Sequence, residues 1–193
     1  MSKLSPFEGA ERVGAEDENA LLRAALADAQ ARLEALEAAA EADPLTGLPN
    51  ARRFGIELDR AVGTAARHGT EAVLLSIDVK GLDAVNAAYG RIGGDTALRH
   101  VARLLSGLIR ATDSLAHTGG GSFALILAHI DHNSAIDAAE RLARCIAAEP
   151  ADLGSARIRV EARIAATSIL PGDSAEDVLR RAQANLARAK QGY

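Results

Sequence analysis

The chain has 193 residues, 48% of them hydrophobic, which is enough for one domain with a real core plus an extension. Aromatic residues make up only 3% and Trp is absent, so that core has to come from Leu, Ile, Val and Ala. A formal charge of −4 argues against nucleic acid as a partner, and the single Cys145 excludes an internal disulfide. With no signal-peptide pattern and no apolar run near the roughly 18 residues that cross a bilayer, a cytoplasmic protein without a membrane span is expected.

Residues 1–14 carry Ser, Pro and Gly without periodicity and read as a flexible N-terminal tail. Over residues 15–42 the composition shifts to Ala, Leu, Glu and Arg. Leu22, Leu26, Ala29, Leu33, Leu36 and Ala40 recur in alternating steps of four and three, the seam of a coiled-coil stalk and so of a homodimer. A single helix packed back on the domain is the alternative. Pro44 stops the helix, because the residue before a proline is pushed out of the α region.

A domain spanning residues 43–193 opens with Asp43-Pro44-Leu45-Thr46-Gly47-Leu48-Pro49-Asn50, and Asn50 is placed to cap the helix that follows. Glu71 to Val79 is a dense apolar run of strand length that closes on Asp78. A carboxylate at a strand end suits a metal or phosphate site, and equally the start of the next helix. Beyond it, Asn86 and Asp95 flank a Tyr89-Gly90 turn and a Gly93-Gly94 pair, and Asp95 is expected to begin a helix running to about Ile109. An amide and a carboxylate match the donors and acceptor of a guanine edge; they are also ordinary turn and cap residues.

Arg110-x-x-Asp113 then leads into two apolar segments, Ser114 to His117 and Phe123 to Leu127, joined by Gly119, Gly120 and Gly121. Consecutive glycines between strand-like runs read as a tight hairpin. A helix from Asn133 or Ser134 to about Ala148, a strand-rich run from Arg157 to Leu170 and a helix opened by the capping-box pattern Ser174-x-x-Asp177 complete the chain. The alternation implies a layered α+β domain, with helices packed on a mostly antiparallel sheet.

From Asp43 nearly to the C-terminus the ordered blocks resemble the GGDEF domains of diguanylate cyclases. The blocks are the opening motif, the strand ending at Asp78, Asn86, Tyr89-Gly90, Gly94-Asp95, Arg110-x-x-Asp113 and, five residues on, Gly119-Gly120-Gly121-Ser122-Phe123. The resemblance implies a nucleotidyl-cyclase-like βαββαβ core. In the family two GTP molecules, one per subunit, are joined to cyclic di-GMP with the help of divalent metal.

It would place metal carboxylates at Asp78 and at position 121, which is Gly here, and a second acid at position 122, which is Ser122. The family's second strand-end Asp is Lys80, able to pair with Asp78 and make it structural. Its phosphate-binding lysine aligns with Asp83, and its Lys-x-x-Gly-Arg-Asn ending is reduced to Lys190-Gln191-Gly192-Tyr193. Mg²⁺ needs carboxylates to fix it and a glycine supplies none, so no catalytic residue, no metal and no cofactor are expected, and Asp78 is vestigial.

What the resemblance retains is a guanine-contact pair, Asn86 and Asp95, also vestigial, and the family's inhibitory site for cyclic di-GMP, Arg110 with Asp113. Arg141 aligns with a secondary arginine of that site. A guanidinium fork binds phosphate bidentately and stacks on guanine. The expected function is a catalytically inactive receptor for cyclic di-GMP in a signalling pathway. The alternative is a nucleotide-independent scaffold that dimerises and binds a regulatory protein; an active diguanylate cyclase is the reading these residues favour least.

Overall fold

The computed structural model describes residues 19–33, 36 and 41–191, in two units, residues 1–40 and residues 41–193. The expected tail at 1–14, part of the stalk and the last two residues lie outside the described residues. Within the first unit residues 19–33 form a helix, α1, on which Leu22, Leu26 and Leu33 are exposed. No described helix is long and apolar enough to cross a membrane.

The second unit is built on a four-stranded sheet in the order β2-β3-β1-β6, every pairing antiparallel. Its strands are β1 (Ala72–Lys80), β2 (Ser114–Gly119), β3 (Ser122–Ala128) and β6 (Glu161–Ile169). The flanking helices are α2 (Ala51–His68), α3 (Leu82–Leu108), α4 (His132–Ala148) and α5 (Ala175–Gln191). A short hairpin, β4 (Ala151–Asp152) with β5 (Arg157–Ile158), lies beside the main sheet and takes the first part of the expected strand run from Arg157.

Strand β1 is a nearly continuous apolar run because it is covered on both faces. Val73, Leu75, Ile77 and Val79 belong to one core with residues of α3 and α4. Ala72 and Leu74 belong to a second core with Phe54 and Leu58 of α2 and Val178 and Ala182 of α5. Alternate residues of a strand point to opposite faces, so one strand feeds two cores.

The caps follow the sequence closely. Asn50 accepts from the Arg53 N–H at 3.0 Å, and the Ser174 hydroxyl accepts from the Asp177 N–H at 3.1 Å while the Asp177 carboxylate accepts from the Ser174 N–H at 3.3 Å. The cap of α4 is Asp131, which accepts from the Asn133 and Ser134 N–H groups and so starts the helix ahead of the expected Asn133.

One expectation fails. Asp95 does not begin a helix; it lies inside α3, whose single break is at Gly90 (φ 70°, ψ 174°). Gly93 and Gly94 are not turn residues but close-approach residues: a Cβ on Gly93 would stand 2.6 Å from Cβ of Tyr89, and one on Gly94 would stand 2.0 Å from Oδ1 of Asn86. Glycine pairs of these two kinds look alike in sequence.

Candidate functional site

Arg110 follows the end of α3, and a turn closed by the Asp113 N–H on the Arg110 carbonyl (3.0 Å) leads into β2. The Asp113 carboxylate builds this turn. One oxygen accepts from the Arg110 N–H at 2.9 Å, and the other from the Ala128 N–H at the end of β3 at 3.3 Å. The side chains of Arg110 and Asp113 therefore do not form the local ion pair that their spacing suggests. Arg110 is exposed, and its guanidinium has no hydrogen bond or ion pair among the described residues.

Arg141 reaches the same place from α4. Together Arg110, Asp113 and Arg141 line a cleft of about 50 Å³ whose apolar wall includes Leu108, Leu127 and Leu142. The volume is that of a recess which takes part of a ligand and leaves the rest in solvent. Two guanidinium groups beside one half-buried carboxylate suit an anionic, planar ligand with N–H donors.

The glycine hairpin is as expected. Gly119 (φ 111°) and Gly120 (φ 58°) form the tip between β2 and β3, in a conformation that disfavours other residues. Gly121 has no such φ; its carbonyl accepts from the Val79 N–H at 2.9 Å and ties the hairpin to the end of β1. A Cβ there would make only ordinary contacts, 3.5 Å from Leu82 and from the Val79 carbonyl. Ser122 and Arg163 are the cross-strand neighbours of Asp78, and Phe123 is buried in the core.

Asp78 is the most heavily engaged carboxylate of this region. Lys190 Nζ lies 3.0 Å from its Oδ1, and a guanidinium nitrogen of Arg163 lies 3.4 Å from its Oδ2. Lys80, the expected partner, has its ammonium 3.5 Å from Glu161, across the β1–β6 register. The side chains of Asn86 and Asp95 make no hydrogen bond or ion pair among the described residues, and neither lines the Arg110 cleft.

His117 was not singled out by the sequence. It is 5% exposed, its Nε2 is 3.0 Å from the Gly120 carbonyl, and its Nδ1 is 3.0 Å from the Asp43 carboxylate, out of line for a hydrogen bond. It joins the hairpin tip to the opening turn. Burial pushes the Asp43 carboxyl up, but the Thr46 hydroxyl and N–H, and then His117, pull it further down, so Asp43 ends below the usual carboxylate range. Arg163 was also missed, because only strand register brings it beside Asp78.

Comparison with known proteins identifies the domain. Residues 40–193 match the family model described as diguanylate cyclase, GGDEF domain. The chain is 30% identical over 149 residues to diguanylate cyclase DgcP of Pseudomonas aeruginosa, covering 77% of this chain and 22% of that one. The chain thus spans about a fifth of the length of this relative. Among solved structures it resembles the coiled coil and GGDEF domain of DgcB from Caulobacter crescentus in complex with c-di-GMP. The TM-score is 0.75 at 26% identity, over 92% of this chain and 95% of that one. It also resembles diguanylate cyclase SiaD in complex with its activator SiaC from Pseudomonas aeruginosa, with TM-score 0.75 at 28% identity over 96% and 73% of the two chains. A family match over residues 40–193, most of the chain, makes this protein a member of the GGDEF domain family of diguanylate cyclases.

Proposed function

We propose that the chain is a catalytically inactive GGDEF protein that binds cyclic di-GMP through Arg110, Asp113 and Arg141. The observation that carries this reading is the cleft they share, in which the guanidinium groups of Arg110 and Arg141 have no partner among the described residues. Two cations left unpaired over an apolar wall favour a ligand that brings phosphate and an aromatic base together. The relatives' bound c-di-GMP and their cyclase activity point to the same second messenger.

Inactivity is supported by the signature residues. Gly121 and Ser122 offer no carboxylate, and both oxygens of Asp78 already face cations. Mg²⁺ needs oxygen ligands in a near-octahedral set, so the residues present do not fit the metal that the family uses.

Isothermal titration with cyclic di-GMP at two temperatures tests the reading. Hydrogen bonds to charged groups contribute about 1.5–3 kcal/mol each, so Arg110→Ala is expected to weaken binding by about tenfold or more. Arg110 is the clean choice, because the Asp113 carboxylate also holds the backbone turn. No heat at either temperature overturns the receptor assignment. Incubation with GTP and Mg²⁺ or Mn²⁺ is expected to yield no cyclic di-GMP, and product would overturn the inactive assignment.

A second reading has its own support. α1 exposes Leu22, Leu26 and Leu33 in steps of four and seven, the spacing of a helix-pairing seam. SiaD, similar over 96% of this chain, was solved with a protein activator. A dimer that recruits a regulatory protein, with or without nucleotide, fits those observations.

A further inference from the structure

We propose that Arg163 and Lys190 together form an internal cation clamp on Asp78, which latches the C-terminal helix to the sheet in place of a divalent cation. The three residues come from far apart in the chain. Asp78 lies near the end of β1, Arg163 is its register partner on β6, and Lys190 is in the last turn of α5. Asp78 and Arg163 side chains are each 19% exposed, and Lys190 covers them from the solvent side at 48%. Each carboxylate oxygen meets its own cation, the ammonium at 3.0 Å and the guanidinium at 3.4 Å.

The arrangement is incompatible with a metal ion on the same carboxylate. An ammonium and a guanidinium donate hydrogen bonds but have no lone pair for a cation, and they would repel one at contact distance. Gly121, across the hairpin, contributes only its carbonyl, and that accepts from Val79. A lone carboxylate whose oxygens are both engaged is a poor start for a metal with six ligands.

The clamp has a mechanical consequence. Near its start α5 is held by the Ser174–Asp177 capping box and by Arg181, which binds Asp173 through two hydrogen bonds of 2.7 and 2.6 Å and the Ser168 carbonyl at 2.9 Å. In its middle Asn185 donates to the Ala166 carbonyl at 3.0 Å and to the Thr167 hydroxyl at 2.8 Å. All of these ties go to β6 or the loop after it. Val178 and Ala182 pack α5 against Ala72 and Leu74 of β1, and among the described residues Lys190 adds the polar tie to that strand, so the clamp joins the helix end to the central strand.

This deepens the inactive-enzyme reading, which supplies the reason that no metal competes for Asp78; cyclic di-GMP binding at Arg110 is independent of it. The test uses the full chain. Melting temperature is measured in EDTA and in millimolar Mg²⁺ or Mn²⁺, and amide hydrogen exchange is followed in wild type, Lys190→Met, Asp78→Asn and the double variant. The metals are expected to leave the wild-type midpoint unchanged. Exchange in the last turn of α5 and at residues 78–79 should quicken about two- to fivefold in Lys190→Met, with the double variant no faster than the faster single one. Asp78-dependent stabilisation of the wild type by either metal overturns the clamp, as does unchanged exchange in Lys190→Met. If Asp78→Asn does not fold, Lys190→Met carries the test, since its side chain is half exposed. A failed clamp with no product from GTP leaves inactivity standing, so the two readings fail separately.

Discussion

Asp43 shows how one side chain can hold a junction. Its carboxylate accepts from the Thr46 N–H at 2.8 Å and the Thr46 hydroxyl at 2.7 Å, and it faces His117 across the turn. Because these interactions hold its pKa below the usual 3.8, the stability it contributes is fully present above that value and is lost as pH falls through the lower, folded-state value. Urea midpoints measured from pH 5 down to about pH 3 should therefore fall for the wild type, and fall less steeply for Asp43→Asn. The slope will not vanish, because Asp131, Asp173 and Asp177 are also lowered by their own hydrogen bonds. An equal slope in both proteins would remove Asp43 from the account. The same scale explains the choice of Arg110 over Asp113 as a probe of the cleft: one projects a free guanidinium, the other is part of the backbone's own bonding.

At the level of elements, α3 carries the sharpest packing prediction. Gly93 is buried, and a methyl there would meet Cβ of Tyr89, an atom fixed by the helix backbone across the Gly90 break. Gly93→Ala should cost about 1–3 kcal/mol in chemical denaturation, as overpacking does. Gly107, in the same helix with nothing within 4 Å, is the control, and Gly107→Ala should be neutral or stabilise by up to about 1 kcal/mol. Equal effects at both sites would mean that helix propensity, not contact, decides. The contrast also marks where sequence reading works. The caps at Asn50 and Ser174, the apolar run of β1 and the Gly119-Gly120 tip were legible because each depends on residues within a few positions of each other. The course of α3 was not, since a glycine that breaks a helix and one that admits a neighbour differ only in what lies across from them. The cleft was legible through family resemblance, which named Arg110, Asp113 and Arg141. The clamp was not, because the pairing of Asp78 with Arg163 spans 85 residues and with Lys190 spans 112.

For the whole molecule, the exposed leucines of α1 make association the property to measure. The proposed stalk dimer predicts that Leu33→Asp combined with Leu36→Asp gives monomers in light scattering while leaving the domain's circular dichroism intact, and dimers persisting in that variant would remove the stalk from the interface. The opening turn has a further role in the behaviour of the molecule among its neighbours. β2 is an edge strand, with β3 as its only partner in the sheet, and the His117 N–H on its open side is taken by the Pro49 carbonyl at 2.9 Å. Edge strands with free N–H groups are templates for pairing with other chains. The Pro49 carbonyl thus covers one N–H of the sheet margin, and a chain shortened to begin at residue 51 should lose solubility before it loses its core.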